Sequence, residues 1–192
     1  MYNEGIDKGL ADGFRNEIVA RKIYLSFPTK VFDGKPEIQF DIQNKIASFF
    51  NVPITAVQVA GSAKTGYSYY KNRGFIEGES DLDIAIVDKD LFINYTEMVF
   101  RETRGFSNLA SFGRTKDGDE HFPIYRKYLS KGIFRPDLMP SGNAKKKWFN
   151  FFNKLSEPHF ELFKSINAGI YLSSFYFEFK QSNNIELYKD LK

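Results

Sequence analysis

The sequence predicts an α+β fold, close to the α/β type, in which a small mixed sheet is flanked by helices. Short segments rich in β-branched and other apolar residues have the character of strands, and longer segments with helical apolar spacing separate them. The length of 192 residues fits one domain of ordinary size. We therefore expect a single domain, residues 1–192, with helical elaborations at the N-terminal and C-terminal sides.

Two helices are expected before the first strand. Residues 10–26 place apolar side chains on one side of a helical pattern. Residues 36–50 predict a clearer amphipathic helix, because Pro36 suits a first turn and apolar positions recur with helical spacing. Those positions are Ile38, Ile42, Ile46, Phe49 and Phe50.

The first predicted strand is short and ends at a tight turn. Residues 56–60 are mostly apolar, contain two valines, and run into Gly61 and Ser62. A helix is expected to start in residues 63–70, and the glycine-containing stretch 71–80 interrupts it.

Strands and helices alternate through the rest of the chain. Residues 81–87 alternate acidic and apolar side chains, as a strand does. Helices are expected at 90–104 and 142–155, a late strand at 165–172 and a closing helix at 174–191.

The composition excludes several kinds of site. Cysteine is absent, which rules out disulfides, thiolate zinc sites and cysteine nucleophiles. His121 and His159 lie far apart and match no metal-binding spacing. The formal net charge of +3 is mild and is compatible with binding phosphates.

The sequence predicts no membrane partner. Its first residues carry acidic residues and glycines where a signal peptide needs a basic start and an apolar run. No uninterrupted apolar stretch approaches the roughly 18–20 residues of a spanning helix. We therefore expect a soluble, cytoplasmic protein.

Asp81 and Asp83 form the first chemical pattern, a D-x-D pair at the start of a predicted strand. Side chains two residues apart project from the same face of a strand. Two carboxylates on one face repel each other unless a cation neutralises them. Magnesium prefers hard oxygen ligands and usually keeps waters and substrate phosphates in its remaining positions. The pair therefore predicts a site for Mg²⁺ (or Mn²⁺) and a nucleotide, with Asp81 and Asp83 as metal ligands.

Gly61 and Ser62 form the second pattern. Backbone N–H groups at such a turn, together with the Ser62 hydroxyl, can hold the β- and γ-phosphates of a nucleoside triphosphate. Glycine is expected because a side chain there would keep the phosphates from approaching closely. Lys64 and Thr65 follow and would add a charge and a hydroxyl, so these four residues are the predicted nucleotide-binding set.

The ordered combination of strand, Gly-Ser turn, short helix and D-x-D strand resembles the nucleotidyltransferase fold of the polymerase-β superfamily. Its signature is a glycine-serine turn followed by a D-x-D strand, and Gly61, Ser62, Asp81 and Asp83 fall on it. The sequence GSAKTGYS…SDLDIAIVD is more similar to small bacterial members of the superfamily than to the polymerases. These include antibiotic nucleotidyltransferases, minimal nucleotidyltransferases of toxin–antitoxin pairs and cyclic-oligonucleotide synthases of anti-phage defence. The resemblance covers residues 57–88.

The resemblance implies a magnesium-dependent enzyme with Asp81 and Asp83 as catalytic residues. Such an enzyme moves a nucleotidyl group from an NTP or dNTP to a hydroxyl acceptor and releases pyrophosphate. We expect an oligonucleotide or nucleotide signal of anti-phage defence as the product, and a separately encoded effector or toxin protein as the partner. Two alternatives remain open: a toxin–antitoxin type protein adenylyltransferase, and a catalytically reduced module that binds nucleotide or nucleic acid.

The sequence departs from the family pattern in two places. Residues 71–79 look like a loop inserted between the two motifs. The family also usually adds a third carboxylate from a later strand, whereas residues 165–172 contain no acid. Asp137 and Glu178 are the candidates for this third carboxylate, and the alternative is a site that uses the D-x-D pair alone.

Further candidates for ligand contacts lie elsewhere in the chain. Tyr67, Tyr69 and Tyr70 either stack on a base or pack in the core. Arg135 is a candidate triphosphate contact. Residues 145–147 are three lysines that either contact phosphates or form a solvated helix face.

Overall fold

A four-stranded mixed sheet lies at the centre of the fold, and helices cover both of its faces. The computed structural model describes residues 1–114, 117–118 and 120–192. The sheet has the order β1-β4-β6-β5, in which β4 and β6 are parallel and both outer pairs are antiparallel. The strands are β1 (Val57–Ala60), β2 (Tyr67–Ser68), β3 (Arg73–Gly74), β4 (Leu82–Val87), β5 (Ile133–Phe134) and β6 (Ile166–Tyr171), where β2 and β3 form a separate hairpin.

The helices occupy most of the remaining chain. A π-helical turn at Lys22–Ser26 extends the second of them. No helix among the described residues is both long and apolar enough to cross a bilayer. The helices are α1 (Tyr2–Ala11), α2 (Asn16–Arg21), α3 (Pro36–Phe50), α4 (Gly61–Thr65), α5 (Lys89–Glu102), α6 (His121–Leu129), α7 (Asn143–Ser156) and α8 (Ser174–Asp190).

The two faces of the sheet bury different side chains. Leu82, Ile84 and Ile86 point into the larger core, which α3, α5 and α7 complete. Ala85, on the opposite face of β4, packs in a second core with residues of α1, α2 and α8. Because side chains alternate along a strand, Asp83 lies on the same face as Ala85, two residues nearer the start of β4. The predicted α+β class with a small mixed sheet flanked by helices is confirmed.

The N-terminal prediction was wrong in its boundaries. The expected helix at 10–26 is divided, because α1 ends at Ala11 and Gly13 has a φ of +76°. The helix expected in residues 63–70 ends at Thr65, where Gly66 takes a left-handed conformation. A glycine in this conformation commonly ends a helix, since glycine adopts it without strain.

Candidate functional site

The two sequence motifs meet at one end of the central sheet. Across the antiparallel pair of β1 and β4, Ala60 is the register partner of Asp83, so Gly61 follows directly beside it. Across the parallel pair of β4 and β6, the register partner of Asp83 is Asn167. Asp83 therefore lies between the Gly-Ser turn on one side and Asn167 on the other.

Gly61 approaches Asp83 so closely that no side chain fits between them. A Cβ added at Gly61 would lie 2.5 Å from Asp83 Oδ2, and the φ of Gly61 is +62°. Both features require glycine, because real Cβ atoms do not approach an oxygen so closely and other residues rarely adopt this φ. The sequence predicted glycine to admit phosphates, and the structure adds the carboxylate of Asp83 as a second reason.

Asp81 lies just before β4 and is held by the residue that precedes the neighbouring strand β6. Ser165 Oγ donates a hydrogen bond of 2.7 Å to Asp81 Oδ1. Asn167 Nδ2 in turn donates a hydrogen bond of 2.7 Å to Ser165 Oγ. A chain of hydrogen bonds thus runs from Asn167 through Ser165 to Asp81, along the same end of the sheet.

The surroundings of the Asp83 carboxyl group disfavour its charged form. Burial, and secondly the charge of Asp81, raise its pKa to about 6, although Lys71 and Arg135 act in the opposite direction. The side chain of Asp83 is exposed to solvent through a cavity, although protein atoms surround it at close range. Two carboxylates near enough to repel each other favour a cation, because a cation removes the repulsion that raises the pKa.

A cavity of about 660 Å³ opens at this end of the sheet. Of the predicted site residues, Gly61, Ser62 and Asp83 line it, and Asn167 lines it as well. Its volume lies within the range of about 300–1,000 Å³ that is usual for small-molecule sites. The remaining lining includes the basic residues Lys71, Arg135 and Lys180 and the aromatic residues Tyr70, Tyr128 and Trp148.

Arg135 is held in a fixed direction at the wall of the cavity. Its Nε donates a 3.0 Å hydrogen bond to Asp137 Oδ1, and its Nη2 donates a second hydrogen bond to Asp137 Oδ2. Its guanidinium carbon also lies 4.8 Å from the centre of the Tyr128 ring. A guanidinium positioned in this way is suited to binding phosphate oxygens, and the triphosphate contact expected of Arg135 stays a prediction.

The structure does not bring Lys64 and Thr65 to the cavity. Lys64 is 5 % exposed, and its Nζ donates a 2.7 Å hydrogen bond to the carbonyl oxygen of Phe27. Burial lowers the pKa of Lys64 to about 8. Thr65 Oγ1 donates a hydrogen bond of 2.9 Å to the carbonyl oxygen of Tyr67. Both side chains thus stabilise the loops around α4, in place of the phosphate contacts predicted for them.

The two candidates for a third carboxylate are both paired with arginine. Glu178 accepts two hydrogen bonds from Arg21, of 2.9 Å and 2.8 Å, and is buried between α2 and α8. Asp137 lines the cavity but is engaged by Arg135. Among the described residues, no group of three or more His, Cys, Asp or Glu side chains could hold a metal ion. Within the described part of the chain, no third carboxylate thus joins Asp81 and Asp83 in a metal-binding group.

The remaining sequence candidates separate clearly. Tyr70 is 81 % exposed and lines the cavity, whereas Tyr69 is buried and donates a hydrogen bond to Asn3 Oδ1. Lys145 donates hydrogen bonds to the carbonyl oxygens of Asp137 and Met139, so it supports the loop before α7. Of the three candidate tyrosines, Tyr70 lines the cavity, whereas Tyr67 and Tyr69 do not.

The donor chemistry at the sheet end fits a small divalent cation. Asp81 and Asp83 supply hard oxygen atoms, and the backbone of Gly61 leaves room for the Asp83 carboxylate that a Cβ would fill. Comparisons of the chain with protein-family models, with curated proteins and with solved structures found no match.

Proposed function

We propose that the protein is a nucleotidyltransferase of the polymerase-β-like type that uses Mg²⁺ or Mn²⁺. It would transfer a nucleotidyl group from an NTP or dNTP to a hydroxyl acceptor. The observation that carries the proposal is the position of Asp83, which faces a cavity beside Gly61 with Asp81, Lys71 and Arg135 near it. Both signs of charge around one cavity suit a metal–triphosphate complex.

Each group of residues has a defined task in this proposal. Asp81 and Asp83 hold the cation, which when bound supplies charge neutralisation and a lower pKa for the attacking hydroxyl. Lys71 and Arg135 neutralise the phosphate oxygens, and Asp137 keeps Arg135 pointed toward them.

The reaction is a displacement at the α-phosphorus. The acceptor hydroxyl forms the new O–P bond, the bond from the α-phosphorus to the bridging oxygen breaks, and pyrophosphate leaves. The proton of the hydroxyl passes to water. Catalysis of this kind depends mainly on positioning and on charge neutralisation, which a fixed guanidinium and paired carboxylates supply.

The resemblance to small defence-associated enzymes favours an oligonucleotide or nucleotide signal as the product. A second candidate function is a catalytically reduced nucleotide-binding module. It is favoured by one observation, namely that the described carboxylates form no group of three around the cavity. The two candidates differ in whether pyrophosphate is released.

The deciding experiment incubates the purified protein with each labelled NTP and dNTP and with Mg²⁺ or Mn²⁺. We expect pyrophosphate and a labelled product with at least one nucleotide, and neither from a variant with Asp81→Asn and Asp83→Asn. Saturable nucleotide binding without pyrophosphate release would favour the binding module. Absence of both binding and release would contradict both functions.

A further inference from the structure

Asn167 lies next to Asp83 on the neighbouring strand β6, at the end of the sheet where the cation of the proposed function would bind. The strands β4 and β6 are parallel, and register partners in such a pair project from the same face of the sheet. Asn167 is exposed to the cavity that Asp83 also lines. No other described residue is both a register partner of Asp83 on β6 and part of the cavity wall.

The hydrogen bonds at the sheet end fix the orientation of the Asn167 amide. A carboxylate only accepts, so the single hydroxyl hydrogen of Ser165 is used toward Asp81. Toward Asn167, Ser165 can then only accept, and Asn167 must present its NH₂ group. The carbonyl oxygen of Asn167 is consequently the atom of the amide that makes no hydrogen bond with Ser165.

This oxygen differs from a carboxylate in charge. The number of charged ligands tunes the affinity of an oxygen site for a divalent cation. Asp81 and Asp83 supply two negative charges, and an amide oxygen adds a ligand without adding a third charge. Resting on the proposed function, we propose that Asn167 is the third, neutral oxygen ligand of the metal site and keeps its affinity for free metal ions low.

One consequence is that the cation enters together with the nucleotide. A site with two carboxylates holds a free divalent ion weakly, while the phosphates of a nucleotide supply the missing negative ligands. Metal and nucleotide therefore bind with strong mutual dependence. Replacement of Asn167 by aspartate removes this dependence, because the protein then supplies the third charge itself.

The test titrates the full chain with Mn²⁺ alone and follows binding by calorimetry and by the loss of the free-ion electron paramagnetic resonance signal. We expect Asn167→Asp to tighten Mn²⁺ binding by about tenfold or more, and Asn167→Ala to weaken it severalfold. The matched control is Asn153→Asp, which adds the same charge at another wall of the cavity, on α7. We expect this control to change the affinity by less than about twofold.

Equal tightening by Asn167→Asp and Asn153→Asp would overturn the proposal, because the effect would then be one of general charge. Unchanged affinity in Asn167→Asp would overturn it as well. Ser165→Ala removes the hydrogen bonds that orient both Asp81 and the Asn167 amide, so it should also weaken Mn²⁺ binding. If Asp83→Asn bound Mn²⁺ as tightly as the wild type, Asp83 would not be a metal ligand. That result would overturn the proposed function itself.

Discussion

Two carboxylates in this fold, Glu178 on α8 and Asp83 on β4, are surrounded in opposite ways. Glu178 is buried against α2, and Arg21 neutralises it with two hydrogen bonds. Asp83 faces a cavity, and burial and Asp81 raise its pKa to about 6 despite two nearby cations. Perturbed groups in a cavity are candidates for function, whereas a satisfied pair holds elements together. The difference separates the sheet-end site (Asp81, Asp83 and Asn167) from the Arg21–Glu178 pair.

The largest effect should follow from removing both charges of the sheet-end site. We expect Asp81→Asn with Asp83→Asn to lower nucleotidyl transfer by about a thousandfold or more, because cooperating metal ligands fail together. The melting temperature should stay the same or rise, since two repelling charges become neutral. Turnover with each nucleotide and thermal unfolding followed by circular dichroism measure the two effects.

A folded double variant with near wild-type turnover would contradict the assignment of the sheet-end site. Loss of turnover together with loss of the folded state would instead give Asp81 and Asp83 a structural role like that of Glu178. The single variant Asp81→Asn tests whether Ser165 keeps its place without a charged acceptor.

A smaller effect is expected from Gly61→Ala. Its Cβ would meet Asp83 Oδ2 at 2.5 Å, so the carboxylate must move. We expect affinity for a non-hydrolysable NTP, measured with Mg²⁺ by calorimetry, to fall by about tenfold. The melting temperature should also fall, because alanine at a φ of +62° is strained.

Gly66→Ala is the matched control for this variant. Gly66 also has a positive φ, of +81°, and a Cβ there would meet Cγ of Lys30 at 3.0 Å. We expect a similar loss of stability and an unchanged nucleotide affinity. Equal loss of affinity in both variants would mean that backbone strain in α4, and not the contact with Asp83, controls binding.

Glu178→Gln should have the opposite profile to the double variant. Arg21 loses its charged partner and the buried Glu178 position loses a charge-assisted pair, so the melting temperature should fall by several degrees. Turnover at a temperature well below unfolding should stay at the wild-type level. Loss of turnover in a stable Glu178→Gln protein would return Glu178 to the role of third carboxylate.

The smallest effect is a change in the pH dependence of stability from Lys64→Met. Burial lowers the pKa of Lys64 to about 8, from 10.5, so between these values the unfolded chain binds more protons than the folded one. The wild-type protein should therefore gain about 1 kcal/mol of stability from pH 8 to pH 9, relative to Lys64→Met. Urea unfolding at both pH values measures this difference.

Lys71→Met provides the comparison at the cavity. Lys71 lines the cavity, so this variant should weaken nucleotide binding severalfold, whereas Lys64→Met should not. Weaker nucleotide binding in a folded Lys64→Met protein would support the phosphate role that the sequence first predicted for Lys64.

The sequence predicted those parts of the molecule that local patterns determine. The α3 boundaries at Pro36 and Phe50 were predicted correctly, because the first-turn proline and the apolar spacing act within the helix itself. The strand of the D-x-D pair was also predicted, and Leu82, Ile84 and Ile86 are buried as expected. Strand β5 was missed, since its two residues are too few to show a period.

The parts that failed depend on contacts between distant segments. Lys64 is buried because a loop 37 positions earlier packs over α4, which no pattern near Lys64 indicates. The sequence did not predict the place of Asn167 beside Asp83, because that place depends on the register of β4 and β6. Sequence position could not distinguish Asp137 from Glu178, since their arginine partners lie 2 and 157 positions away.

The contact between α2 and α8 has a consequence for the order in which the protein is built. Arg21 and Glu178 are separated by 157 positions, and α8 also supplies Lys180, Gln181 and Asn184 to the cavity wall. Contacts between segments so far apart carry a larger loop-closure cost than local ones, so we expect them to form after local structure. A growing chain that has not yet released α8 from the ribosome thus carries both motifs but lacks one wall of the cavity. We therefore expect the cavity, and the nucleotide binding proposed for it, to be complete only after α8 has left the ribosome and docked.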